Sequence, residues 1–184
     1  AAGGRTLILC SSWRAVDKAA EYLRVRCETP VHVQKKGESV SLLVERFASD
    51  RESTLVGTLS LWQGVDIPGD SCIQVIIDRI PFPRPDDPVM SARSARVDEA
   101  GGSGFRSVTL PRAGLLLAQA SGRLIRTGTD KGVVSVLDSR LANSGYGTSL
   151  RKSMPPMWFT TDRTTAMSSL QRLRGESEAR EAQG

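Results

Sequence analysis

Gln119-Ala-Ser-Gly-Arg123-Leu-Ile-Arg126 gathers the residues of this chain best suited to chemistry. Arg123 and Arg126 stand three apart, so a helix carries both on one face. A guanidinium stays charged and offers a planar fork of donors, which suits the negative charge that spreads over a phosphoryl group during transfer. Gly122 permits close backbone approach at the same place, and Gln119 supplies a neutral amide able to bond a phosphate oxygen or an attacking water. The residues alone leave two readings open. Arg123 and Arg126 are arginine fingers assisted by Gln119, or they solvate a helix face, where charge ordinarily sits.

Other chemistries lack their residues. His32 is the one histidine, and Cys10, Cys27 and Cys72 are widely spaced with no CxxC pair, so neither a zinc site nor a histidine-based nucleophilic triad is expected. The cysteines read as reduced structural thiols, and no metal ligands are assigned. No GxxxxGK[ST] phosphate loop occurs and no acidic DExx motif follows a strand, so the chain is not expected to bind ATP by itself. With 25 Lys and Arg against 20 Asp and Glu, the net charge of +5 suits a phosphate-bearing partner without requiring one.

The elements that would hold these residues read as an α/β domain. Apolar residues at 39% and charged residues at 24% are ordinary for a folded domain. Thr6 to Cys10, Ser53 to Thr58, Cys72 to Ile77 and Gly132 to Leu137 are short, largely apolar runs, of the kind buried on both faces of a parallel sheet, and Val31 to Gln34 reads as a further short strand. Between them lie helical patterns. Ser12 and Ser39 are positioned as N-caps, Ser91 to Glu99 is a further helix, and the stripe Ala113, Leu116, Leu117, Ala120 and Leu124 starts with Pro111 in its first turn. Pro81, Pro83, Pro85 and Pro88 impose an extended loop, and "AGGSGF" is a flexible break. From Arg174 to Gly184 no apolar residue exceeds Ala, which predicts a disordered tail. Ligands of such sheets bind at the carboxyl ends of strands, so the residues following the strands are the place to seek chemistry. No run of apolar residues is long enough to span a membrane and no secretory signal is present, so a cytoplasmic protein is expected. The start without Met, running quickly into a strand, predicts further sequence upstream.

Three stretches together resemble the second, C-terminal motor domain of superfamily 2 DNA helicases of the DinG/XPD type. "LPRAGLLLAQASGRLIRTGTDKGVVSVLDSRL" resembles helicase motif VI with its flanks, "LVGTLSLWQGVDIPGDSCIQVIIDRIPFPRPDDP" resembles motif V, and "TLILCSSW" is similar to motif IV. The likeness runs from about Arg5 to Leu173, so residues 1–173 are expected to form a RecA-like domain, a largely parallel sheet with helices on both faces and no phosphate loop of its own. The resemblance implies that Asp66 lies beside the nucleotide ribose, with Gly64 and Gly122 packed close to the nucleotide. It implies that Ser11, Ser12 and Thr58 contact nucleic-acid phosphates. The alternatives are that Asp66 closes a turn before Pro68 and that the serines cap helices. Trp62 is offered for base stacking, against a core role. Gln63 stands where the family usually has Glu. Asp138 and Arg140 fit the family's LDxR and are expected to steady the arginine-bearing helix through an ion pair, while Tyr146 lies in the family's following turn.

By the same resemblance, ATP and Mg²⁺ are held mainly by an upstream RecA-like domain, single-stranded DNA and that domain are the partners, and movement runs 5′ to 3′ in replication or repair. Where members of the family carry an iron–sulfur cluster, the resemblance implies that its cysteines lie upstream of these residues. The competing expectation is a non-catalytic module that binds single-stranded nucleic acid or a protein.

Overall fold

The computed structural model of the chain describes residues 1–62, 72–122, 124 and 130–181. Along it run β1 (Thr6–Cys10), α1 (Trp13–Arg26), β2 (Val31–Val33), α2 (Val40–Ser49), β3 (Thr54–Thr58), β4 (Gln74–Ile77), α3 (Pro88–Glu99), α4 (Leu110–Gly122), β5 (Val133–Val136), α5 (Arg140–Asn143), α6 (Gly147–Ser153) and α7 (Arg163–Glu181). A 3-10 turn, Leu59–Trp62, continues β3, and a π-helical turn, Phe105–Thr109, leads into α4.

The strands form one sheet in the order β2-β3-β1-β4-β5, and each neighbouring pair is parallel. This is the α/β class the sequence predicts. From β1 the chain moves to one edge to make β2, then turns back through β3 and across the sheet to β4 and β5. Right-handed crossovers in opposite directions put their helices on opposite faces. Accordingly Val16 of α1 packs with Ile8, Cys10 and Val56 on one face. Leu43 and Phe47 of α2 and Ala113 and Leu117 of α4 pack with Leu7, Leu9 and Leu55 on the other. Alternate residues of β1 thus serve two cores, as the pleat demands. Phe47, Leu9, Leu55, Ile77 and Leu117 are fully buried, each contributing about 1.5–3 kcal/mol by leaving water. A third, smaller cluster of Ala2, Ile73 and Leu170 joins α7 to the amino-terminal edge of the sheet.

Several local expectations are corrected. α3 begins at Pro88 rather than Ser91, because Asp87 caps it, its carboxylate accepting from the Val89 and Met90 N–H groups at 3.0 and 3.1 Å. Ser39 stands at the N-cap of α2, but its hydroxyl makes no capping bond there. Pro111 does lie in the first turn of α4, yet the helical path starts earlier, in the π turn where the Leu110 N–H reaches back to Phe105 O. A proline brings no N–H, and a wider turn before it absorbs the lost bond. The "AGGSGF" break is therefore only partly a break: Gly104 packs tightly on Ser94, where a Cβ would stand 2.6 Å from the Ser94 carbonyl oxygen.

The largest departure is at the end. The polar stretch from Arg174, predicted to be disordered, continues α7 to Glu181. Arg174 pairs with Glu178 at 2.7 Å, Lys131 with Glu176 at 2.9 Å, and Arg5 donates to the buried Ser177 hydroxyl. Specific polar contacts with the body of the domain hold what hydrophobicity alone would not. At the other terminus Gly4 is required: its φ is +87° and a Cβ would stand 1.9 Å from the Glu52 carbonyl oxygen. Among the described residues no helix is long and apolar enough to cross a membrane.

Candidate functional site

β3, β1 and β4 lie side by side, with Cys10 opposite Thr58 and Leu9 opposite Ile77, so the residues just past these strands meet at one carboxyl edge. Ser11 follows β1, Thr58 ends β3 and Asp78 follows β4. Ser11 is exposed, and both its backbone N–H and its hydroxyl donate to the Asp78 carboxylate, at 2.9 and 2.8 Å. Two convergent donors on one carboxylate make an arrangement able to hold an oxyanion, and here Asp78 is the anion held. Ser12 caps α1, its hydroxyl accepting from the Ala15 N–H at 3.2 Å. The capping role weighed for Ser12 from sequence is thus what the structure shows.

Thr58 is fixed from the other side. Its N–H and hydroxyl donate to the side-chain oxygen of Gln34 at 2.8 and 3.1 Å, and its hydroxyl lies 2.6 Å from that of the exposed Ser60. Gln34 is buried although it follows edge strand β2, since its carbonyl serves these donors. Trp13, at the start of α1, has the Lys36 ammonium 5.9 Å from its ring centre. Asp78, Gln34, Ser60 and Lys36 were not singled out from sequence. Polar residues immediately past a buried strand were the available signal, and Asp78 in "IIDR" carried it. Burial and the nearby Asp78 charge push the Cys10 thiol up to about 11, so it stays protonated at neutral pH.

Past β5, Asp138 and Arg140 form the expected ion pair, with Nη2 to Oδ2 at 2.7 Å. Its reach differs from expectation. The Asp138 carboxylate also accepts the Ile80 N–H at 3.1 Å, so it ties the end of β5 to the proline-rich loop rather than directly to α4. The hydrogen bonds from Arg140, ahead of those from the Ile80 and Arg140 backbone, hold this carboxyl down at about 2 despite its burial. Arg140 stands over the Phe82 ring at 5.3 Å, and Phe82 packs with Phe105 and Tyr146 at 5.8 and 5.9 Å between ring centres. Through Phe105, in the π turn, this aromatic cluster steadies the start of α4. That gives Tyr146 the part the sequence could not assign.

The far end of α4 lies elsewhere. A chain leaving the carboxyl end of β4 must return to the amino end of β5, and Leu124 is buried against Gly132, the residue before β5. Gln119 is exposed in the last turn of α4. Apart from its chain neighbours and the backbone of its own helix, no described atom lies within 4 Å of where a Cβ on Gly122 would stand. Gln119 and Gly122 therefore sit toward the amino edge, opposite Ser11 and Thr58, so the expected site residues form two groups and not one. The rule that chemistry follows the strands covers only the first. Gln63, Gly64, Asp66, Pro68, Arg123 and Arg126, together with the Trp62 side chain, lie outside the described residues. Among the described residues no group of three or more His, Cys, Asp or Glu is placed to hold a metal ion.

Residues 1–157 match the model of the helicase C-terminal domain family. The chain is 57% identical over 173 residues to the ATP-dependent helicase DinG of Mycobacterium tuberculosis, covering 94% of this chain and 26% of that protein. It is 41% identical over 160 residues to the ATP-dependent DNA helicase YoaA of Escherichia coli, covering 86% of this chain and 25% of that protein. A crystal structure of the C-terminal part of the Fun30 ATPase domain aligns with a TM-score of 0.46 at 12% identity, over 94% of this chain and 48% of that one. The chain spans about a quarter of the length of the curated relatives it matches. With its all-parallel sheet and its match over residues 1–157, the chain belongs to the helicase C-terminal domain family, and within it to the DinG type.

Proposed function

We propose that the chain is the second motor half of an ATP-dependent DNA helicase that moves 5′ to 3′ along single-stranded DNA and serves replication or repair. The observation that carries this reading is the division of the candidate residues between two ends of one sheet. Donors gather at the carboxyl edge beside Ser11 and Thr58, while α4 ends at the opposite edge with Gln119 exposed and, among the described residues, nothing outside the helix crowding Gly122. A motor needs both: one surface to grip a strand and another to respond to a nucleotide.

The end of α4 suits a phosphate-bearing group, since Gln119 offers an exposed amide and no described residue outside the helix crowds Gly122. When bound there against an upstream domain that also holds Mg²⁺, ATP supplies a γ-phosphoryl group for transfer to water. Arg123 and Arg126 meet the charge that spreads over that group, Gln119 orients an oxygen beside it, and Gly64 and Asp66 border the ribose. At the carboxyl edge the hydroxyls of Ser11 and Thr58, with Ser12 beside them, contact backbone phosphates, which positions a strand without reading its sequence. Closure of the two domains around nucleotide and reopening after hydrolysis then convert turnover into steps.

The test is single-stranded-DNA-stimulated ATP hydrolysis by the protein that carries this chain with its phosphate-loop domain, natural against Arg126→Ala, with ATP binding measured alongside. Loss of hydrolysis with ATP binding retained is expected. Unchanged hydrolysis would make the arginine structural and favour a binding module. The 184-residue chain by itself is expected to show no ATP turnover, and weak DNA binding that falls steeply with salt.

A further inference from the structure

α3 buries none of its own residues. Its Met90 and Val97 instead wall one side of a groove of about 1240 Å³, and Val108 of the π turn with Leu115 and Leu116 of α4 line the other. Pockets for small ligands run to roughly 300–1,000 Å³. This larger, solvent-open groove suits a stretch of chain.

Its rim is basic. Arg84, Arg93, Arg96 and Arg112 line it, with Asp87 the one carboxylate among the lining residues. Arg84 is taken up by Asp86 at 2.6 Å, and Asp87 by the cap of α3. Arg93, Arg96 and Arg112 are exposed, and their guanidinium groups have no partner among the described residues. An apolar floor beneath exposed cations is complementary to carboxylates interleaved with apolar side chains.

We propose that this groove docks a short acidic peptide segment of a partner protein, its apolar side chains seated on Leu115 and Val97 and its carboxylates on Arg93, Arg96 and Arg112. A nucleic-acid strand fits less well. Sequence-tolerant strand binding stacks bases on aromatic faces, whereas the floor here is aliphatic. The one lining aromatic, Phe82, is already packed against Phe105 and Tyr146 with Arg140 over its ring. A phosphate backbone alone would leave the aliphatic floor in water.

The probe is a short fluorescein-labelled peptide of Asp and Glu interspersed with Leu and Phe, titrated with the full chain and followed by anisotropy. The natural chain should bind it, and the Arg93→Glu/Arg96→Glu double variant and Leu115→Asp should each bind roughly tenfold or more weakly. All three sites are exposed, and unchanged melting curves for the two variants would show that the fold is kept. Three outcomes overturn the proposal: no binding of the peptide, equal binding of a control peptide with Ser in place of Leu and Phe, or displacement of the peptide by oligothymidine with oligothymidine binding itself lost in the double variant. The last would make the groove a nucleic-acid surface.

Discussion

Asp138→Asn should destabilise the fold by an amount that depends on pH. The carboxylate is 7% exposed and carries the bonds from Arg140 and from the Ile80 N–H. Its lowering from 3.8 to about 2 corresponds to about 2 kcal/mol of extra stability from the charged form. Arg140 is 50% exposed, so solvent screening trims this to about 1–2 kcal/mol. The sign follows from the direction. A carboxyl whose folded value is depressed stabilises fully above its unfolded value and loses that contribution as pH falls toward the folded one. The gap between natural and variant chains should therefore be full at pH 7, about half gone near pH 3 and absent below about 2. Urea unfolding across this range measures it, with secondary structure as the signal. A gap that stays constant from neutral to acid pH, or a variant as stable as the natural chain at pH 7, would refute the account of this ion pair.

Three further outcomes are expected. Asp78→Asn removes the charge that occupies the Ser11 donors, so oligothymidine binding at low salt should tighten about threefold to tenfold; weaker binding would show that Asp78 positions Ser11 for the strand instead of competing with it. Gly4→Ala places a Cβ on the Glu52 carbonyl at a positive φ and should cost about 3 kcal/mol or more in thermal unfolding, whereas a loss within about 0.5 kcal/mol would mean the segment rearranges freely. Cys10, buried and with its thiol pushed up to about 11, should resist iodoacetamide at pH 8 until the chain unfolds while the half-buried Cys27 reacts, as peptide mass spectrometry would read; early labelling of Cys10 would contradict its protonated, enclosed state.

The sheet was legible because its signal is local. Runs such as Leu7 to Cys10 and Val75 to Ile77 are apolar in succession, and only strands covered on both faces need that. What escaped was set by contacts between distant residues. Gln34 looks like the polar end of a strand, and only β3 beside it turns it into the acceptor for Thr58. The helix through Ser177 and Glu178 depends on Arg5, Lys131 and Arg174, of which composition gives no sign. Gln119 and Gly122 were proposed from residue type and spacing, and Ser11 and Thr58 from the family resemblance, but the split of these residues between two edges was not foreseen, because it follows from the direction of a crossover helix and not from any one motif.

The middle strand of the sheet is the first in the chain. β1 pairs with β3 on one side and β4 on the other, so synthesis delivers the keystone before either neighbour exists, and both ladders close over long stretches of intervening chain. Such a sheet cannot be assembled hairpin by hairpin, and its slow steps are the loop closures. Trimming the amino terminus past Cys10 would leave two separate two-stranded ribbons, β2 with β3 and β4 with β5, each too small to hold itself together.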